Sequence, residues 1–338
     1  MKAIYYTREQ GLLYSDLPDP VVARGEVLVR VHYAGICGSD LHLFKSGMLP
    51  PQAIMGHEVS GTIEALGEGV GERKVGDRVI IRPIGCGSCP VCKEQKENLC
   101  PGRRAIGLGQ NPGGYAEKIA VPWGMTIPVP ENVPLDQAAL TDPVATALHA
   151  IRQARPLQKK SALVLGAGVI GLSLLLLLKK EGAKPILVSE LEERRREMAL
   201  QLGADGVVQP RDDGALQVIQ SLTGGRGPAA AFECSGSAGA FEQALRWVAK
   251  DGEIILVGLG GEPFCLPPIM AVLKEARIIG SFANTREECR ETLRRMARGE
   301  FSIASLTRDR IFLKDLPGVF QELLKGSPRN KVIVQLEA

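Results

Sequence analysis

Aromatic residues are scarce in this chain, at 4% of 338 positions, and only two are tryptophans, Trp123 and Trp247. Charge of one sign is also in short supply. The net charge is +3, and no stripe of lysine and arginine alternates with aromatic side chains. Both shortages argue against a nucleic-acid partner. Long apolar runs are missing as well. The longest, LSLLLLL at 172–178, is far shorter than the ~20 residues that cross a bilayer. The opening MKAIYYTREQ lacks the apolar core of a secretion signal. The expectation is a cytoplasmic protein with no membrane partner. No internal repeat or low-complexity tract is visible.

What is present suits a globular protein: 45% of residues are hydrophobic and 23% charged. The length favours two domains over one. Residues 1–143 are rich in glycine and proline around short β-branched runs, EVLVRVHYAG (26–35), SGTIEALG (60–67), DRVIIRP (77–83) and EKIAVP (117–122). These read as strands separated by turns. From 144 to 282 the texture changes to alternating strands and helices, beginning ALVLGAG (162–168), GLSLLLLLKKEG (171–182) and PILVSE (185–190). That alternation predicts a parallel sheet with helices on both faces. The basic run ERRRE (193–197) reads as a solvated helix face. Residues 283–338 hold a helix and a final strand, KVIVQL, and are expected to rejoin the first, β-rich domain.

Half of the eight cysteines fall in one stretch, CGSCPVCKEQKENLC, as Cys86, Cys89, Cys92 and Cys100. Cytosolic thiols stay reduced, so a dense cluster there favours a metal over disulfides. Four soft thiolates close a tetrahedral shell around zinc and leave no open position, so this site is read as a structural brace. An iron–sulfur cluster is the competing reading, because C-x2-C-x2-C also serves such clusters.

Gly166, Gly168 and Gly171 form G-x-G-x-x-G directly after a predicted strand and into a predicted helix that begins around Val169 and Ile170. In that context the glycines serve a tight turn, close approach of a pyrophosphate, and helix–strand packing, while the helix N-terminus favours phosphate charge. The next strand ends at Glu190, nineteen residues beyond Gly171. A carboxylate there accepts hydrogen bonds from ribose hydroxyls and repels a 2′-phosphate, which favours NAD over NADP. Arg194 and Arg195 lie close enough to soften that preference.

Two fragments of the first domain, CGSDLH (37–42) and GHEVSGTIEALGEGV (56–70), crowd more polar chemistry together than ordinary turns need. With the four-cysteine lobe and the glycine motif, they resemble the zinc-dependent medium-chain alcohol dehydrogenases over essentially the whole chain. The zinc signature of that family is met by Gly56, His57, Glu58, Gly61, Gly67 and Val70. CGSD, DPVATALHA (142–150) and the chain length look most like the polyol (sorbitol), butanediol and threonine dehydrogenase branch.

The resemblance implies an α/β protein with a GroES-like catalytic domain and a Rossmann domain, two zinc ions per subunit, NAD as coenzyme, and a catalytic zinc in the cleft between domains. Cys37 and His57 match its first two ligands. Asp142 and Glu58 compete for the third place, with Asp142 slightly preferred. Asp40 resembles the carboxylate that orients the ligand histidine. Ser39 resembles the group that takes the alcohol proton as a zinc-bound alkoxide forms and gives hydride to NAD, and His42 the end of the relay to solvent. Thr146, Val257, Leu259 and Arg195 match coenzyme contacts. Lys331 resembles a basic residue near the zinc-site glutamate or the pyrophosphate, with Arg329 as rival. The implied partners are a small secondary alcohol or polyol and further copies of the chain, as a tetramer or dimer, with the strand EIILVGLG or a neighbour extending the sheet across an interface.

His32 and His149 are expected to be structural, and Cys234, Cys265 and Cys289 to be buried thiols. Phe44, Met48 and Ile106 are guesses at cleft residues that tune specificity. Two other readings compete: a metal-free quinone reductase relative, which the zinc ligands argue against, and a non-catalytic NAD-binding zinc protein acting as a redox sensor or assembly partner, which would not need Ser39 and His42.

Overall fold

A computed structural model describes the chain except residues 110, 265–267, 328 and 337–338, so Cys265 lies outside the described residues. Its contacts divide the chain into two units, Met1–Asp142 with Thr285–Ala338, and Pro143–Asn284.

The first unit is built on a seven-stranded sheet. Strand Glu26–Gly35 lies at its centre, paired antiparallel with Glu58–Leu66, Lys118–Pro122 and the C-terminal strand Val332–Gln335. Alternation along Glu26–Gly35 sends Val27, Val29 and Val31 into one core with Ile63, Val79, Ile81, Ile119 and Val121. Register does more than pack this core. Gly35 lies opposite Glu58, so the residues just past the end of one strand meet those just before the start of the other. Cys37 follows the first strand and His57 precedes the second. Antiparallel pairing therefore brings together two residues twenty positions apart in sequence.

In the second unit, the six strands Ala162–Leu165, Ile186–Ser189, Gly206–Val208, Ala230–Glu233, Glu253–Leu256 and Arg277–Gly280 form one parallel sheet. Counted in chain order, they lie in space as third, second, first, fourth, fifth, sixth, the doubly wound order of a dinucleotide-binding sheet. The strands are nearly continuous apolar runs because both faces are covered, as ALVL and AAFE show. The strand within EIILVGLG is not an edge: Glu253–Leu256 is flanked by Ala230–Glu233 and Arg277–Gly280. Its hydrogen-bonding groups are therefore already used on both sides. One edge is Gly206–Val208 and the other is Arg277–Gly280, where Ile278 is exposed, and Phe282 just beyond it is exposed too.

Candidate active site and metal centres

Cys37 caps the N-terminus of helix Gly38–Ser46, and Gly47 ends that helix in the left-handed conformation at φ +66°. The helix carries Ser39, Asp40 and His42. The donor atoms of Cys37, His57 and Glu58 all lie within 4.8 Å of one another. Asp40 sits behind them, fully buried. Its Oδ1 is 3.2 Å from His57 Nδ1, while its Oδ2 accepts from the Cys37 backbone N–H at 2.9 Å. A carboxylate on Nδ1 fixes the ring and leaves Nε2 to face outward as a ligand. Burial acts to lower the His57 pKa, but Asp40 and Cys37 outweigh it and hold the imidazole well above its usual value. Burial likewise acts to raise Asp40, but His57, the Cys37 N–H and the Tyr115 hydroxyl bring it below the usual carboxylate range. Ser39 Oγ lies 3.4 Å from His57 Nε2, and His42 is exposed on the same helix.

Sulfur, imidazole nitrogen and carboxylate oxygen, converging on one point with an oriented histidine, are a donor set suited to zinc. Asp142 is not in this cluster, contrary to the preference that the sequence suggested. It lines the same small cavity as Glu58, and its charge acts on Arg103 and Cys289. Glu58 is drawn in because it opens the strand opposite Gly35. A Cβ on Gly35 would lie 2.0 Å from Glu58 Oε2, so only glycine admits the carboxylate there. Lys331 meets the same oxygen, its Nζ 2.5 Å from Glu58 Oε2 and donating to the Ile36 carbonyl at 2.7 Å. Arg329, its rival, pairs with Asp309 and Glu322.

The sulfurs of Cys86, Cys89, Cys92 and Cys100 also lie within 4.8 Å of one another, with Cys89 and Cys100 3.7 Å apart. That is far beyond a disulfide bond. It matches the spacing of about 3.8 Å between sulfurs that each stand ~2.3 Å from a tetrahedral zinc. A cluster would spread its thiolates over several irons, whereas these four sulfurs converge closely enough to share one ion. Hydrogen bonds from Ser88 and the Cys89 backbone lower Cys86 to about 5, while desolvation and the neighbouring sulfurs push Cys92 up to about 12. Glu97, between the last two cysteines, ties the lobe to its own unit by accepting from the Arg286 N–H at 2.6 Å and pairing with Arg82 at 3.3 Å.

The glycine turn lies in the second unit. Gly166 takes φ +97° and Gly168 caps helix Val169–Lys180. A Cβ on Gly171 would lie 1.9 Å from the Gly166 carbonyl oxygen, whereas one on Gly168 would meet nothing within 4 Å. The third glycine therefore serves packing, and the second leaves open the face that a pyrophosphate would approach. The first-turn N–H groups around Val169 and Ile170 have no helical acceptor. Glu190 is buried at the end of its strand. Its Oε2 accepts from the Ala167 N–H at 2.7 Å and its Oε1 from Glu192 at 3.0 Å, so it braces the glycine turn as well. Arg195 is half-buried on the following helix, Glu193–Gln201.

The chain belongs to the zinc-type medium-chain alcohol dehydrogenase family. A family model described as alcohol dehydrogenase GroES-like domain matches residues 23–131, and one described as zinc-binding dehydrogenase matches 169–298. An (R,R)-butanediol dehydrogenase of Saccharomyces cerevisiae is 33% identical over 90% of this chain and 88% of its own length. An L-threonine 3-dehydrogenase of Thermococcus kodakarensis is 36% identical over 77% of this chain and 75% of its own. Among solved structures, a putative zinc-binding dehydrogenase of Sinorhizobium meliloti 1021, bound to NADP, aligns with a TM-score of 0.90 and 28% identity over 99% of this chain and 98% of that one. The α/β class, with a GroES-like domain and a Rossmann domain, is thus that of the family.

Several family-implied positions carry features that the sequence did not show. Thr146 is buried, and its Oγ1 accepts from Asn284 Nδ2 at 3.1 Å, a partner 138 residues away that no motif marks. Val257 is buried but Leu259 is 73% exposed. Glu233, at the end of the fourth parallel strand, is marked by no motif either. Its Oε1 accepts from the Ser235 N–H at 2.7 Å and the Gly236 N–H at 2.9 Å, shaping a turn that lies against Gly166 and Gly260. Phe44 is a packing residue, edge-on to Tyr6 and Phe320, and Ile106 belongs to the same core, while Met48 is exposed. His32 lies 3.2 Å from Thr62 Oγ1, and His149 sits 3.2 Å from Gln153 Nε2. Cys289 is buried.

Proposed function

We propose that this chain is an NAD-dependent zinc dehydrogenase that moves hydride between a secondary alcohol or polyol and the coenzyme. The observation that carries the reading is the convergence of Cys37, His57 and Glu58, with Asp40 behind the histidine. In this reading these three hold the catalytic zinc, with Asp142 outside the ligand set. Cys86, Cys89, Cys92 and Cys100 hold a second, structural zinc, giving two per subunit. When bound, zinc supplies a Lewis acid that eases loss of the alcohol proton, and NAD supplies the hydride acceptor.

The rest falls to the chain. Ser39, beside His57 Nε2, takes the alcohol proton. His42, three residues further along the same helix face, passes it to solvent. Gly166, Gly168, Val169, Ile170 and Gly171 hold the pyrophosphate, and Glu190 with Arg195 the adenosine ribose. Thr146, Val257 and Leu259 meet the nicotinamide end. Met1–Asp142 with Thr285–Ala338 acts as the catalytic domain and Pro143–Asn284 as the coenzyme domain.

The protein is proposed to be a cytoplasmic homo-oligomer, a tetramer or dimer. The open edge Arg277–Gly280, with exposed Ile269, Val272, Leu273, Ile278 and Phe282 nearby in sequence, supports this. The test of function is NADH formation with polyols, vicinal diols, threonine and simple secondary alcohols. Each is run with NAD, with NADP, and after chelation and zinc add-back. The expected result is turnover that prefers NAD, stops on chelation and returns with zinc. Turnover that survives complete removal of metal would overturn the reading.

A further inference from the structure

Asp40 serves two metal-binding candidates at once. Its Oδ1 faces the His57 ring, and its Oδ2 holds the backbone of Cys37. A carboxylate with one oxygen committed to each job orients both ligands only if its own plane is fixed. The group that fixes it comes from a distant segment. Tyr115 is fully buried, and its hydroxyl donates to Asp40 Oδ2 at 2.8 Å, with the Gly35 carbonyl oxygen a second acceptor at 3.3 Å. Tyr115 is itself held firmly. Its N–H bonds the Met55 carbonyl, and its carbonyl accepts from Ile4 at 2.8 Å. Its ring covers Gly56, where a Cβ would lie 2.7 Å from Cδ1 of the ring and where φ is +93°.

We propose that Tyr115 is a positioning residue for the catalytic metal, acting through Asp40 on His57 and Cys37. This rests on the zinc-ligand reading given above. The ring alone would fill this part of the core, so the role belongs to the hydroxyl. Without it, Asp40 Oδ2 keeps only the Cys37 N–H, and the carboxylate is free to pivot away from the histidine. Partners that orient a metal ligand directly are worth about 10–100-fold in metal affinity. Tyr115 stands one bond further out, so about 3–10-fold is expected by the same scale.

The experiment uses the zinc-loaded full chain and Tyr115→Phe, which keeps the ring. Zinc release to a chromogenic chelator is followed at both sites, with the four-cysteine lobe as internal control, and the absorption bands of cobalt-substituted protein are recorded. The wild type is read first. If it holds metal only in the four-cysteine lobe, the ligand assignment and this inference both fall. If it holds both ions, Tyr115→Phe is expected to lose the catalytic ion about 3–10-fold faster, with shifted cobalt bands and unchanged release from the lobe. In an Asp40→Asn background the effect of Tyr115→Phe should largely vanish, because the two act in one chain. Unchanged release and spectrum, equal acceleration at both sites, or full additivity with Asp40→Asn would each overturn the proposal while leaving the ligand assignment intact.

Discussion

Lys331 Nζ lies 2.5 Å from Glu58 Oε2, with both side chains almost completely buried, at 2% and 1% exposure. The pair joins the last strand of the chain to the strand that opens the proposed metal site. Buried ions of this kind are stable only while each keeps its partner. Lys331 is therefore what allows an ionised Glu58 to sit under Gly35, within reach of Cys37 and His57.

Lys331→Met should leave Glu58 buried without its counter-charge. A loss of about 3–5 kcal/mol is expected for the metal-free protein. Zinc bound at Glu58 would replace the missing positive charge, so the loss should be smaller in the zinc-loaded form. Thermal unfolding of both forms checks this. An equal loss in each would argue that Glu58 does not contact the metal.

The two metal centres should be separable. Cys92→Ser is expected to remove one zinc per chain and lower stability, while His57→Ala removes the other and abolishes turnover with little change in stability. Elemental analysis and unfolding midpoints distinguish the two variants. Loss of both ions in either variant would contradict the division into a brace and a reactive site.

The glycines of the nucleotide turn should divide by role. Gly171→Ala pushes a methyl against the Gly166 carbonyl and should lower the unfolding midpoint. Gly168→Ala places its methyl in open space, so folding should be unaffected while NADH binding weakens at least tenfold. Fluorescence titration with NADH, beside thermal unfolding, reads both. Normal NADH affinity in Gly168→Ala would remove this turn from the coenzyme site.

Glu190→Gln should retain the acceptor toward Ala167 but lose the charge that repels a 2′-phosphate. The NAD:NADP ratio of kcat/KM should fall about 10-fold or more, a change of ~1.4 kcal/mol in discrimination. A ratio that stays constant would place the choice of coenzyme on other residues, Arg195 first among them.

Much of the fold was legible locally. The strand in EVLVRVHYAG and the helix in GLSLLLLLKKEG announce themselves through alternation and apolar density, and structure places strand Glu26–Gly35 and helix Val169–Lys180 there. Residues 205–222, where strand Gly206–Val208 and helix Ala215–Leu222 lie, carry a weaker local signal. A three-residue strand is too short to show a period. Which of EIILVGLG and its neighbours forms an edge was not legible either. Strand order is a property of pairing, and an apolar run such as EIIL reads the same in the middle of a sheet as beside its edge.

By itself the sequence determined the chemistry on offer: four thiols at metal-ligand spacing, a glycine turn before a helix, and a cysteine, a histidine and three carboxylates from which a reactive site is built. These are set by residue type and short spacing, and both are written directly in the chain. Only the tertiary structure decided which groups meet. It placed Glu58 with Cys37 and His57 and left Asp142 beside Arg103 and Cys289. It also delivered Tyr115 and Asn284 to Asp40 and Thr146, and chose Lys331 over Arg329 as the partner of Glu58. The physical reason is that a buried charge or donor must find its partner somewhere in the folded chain. Strand register and packing, which act over scores of residues, choose that partner.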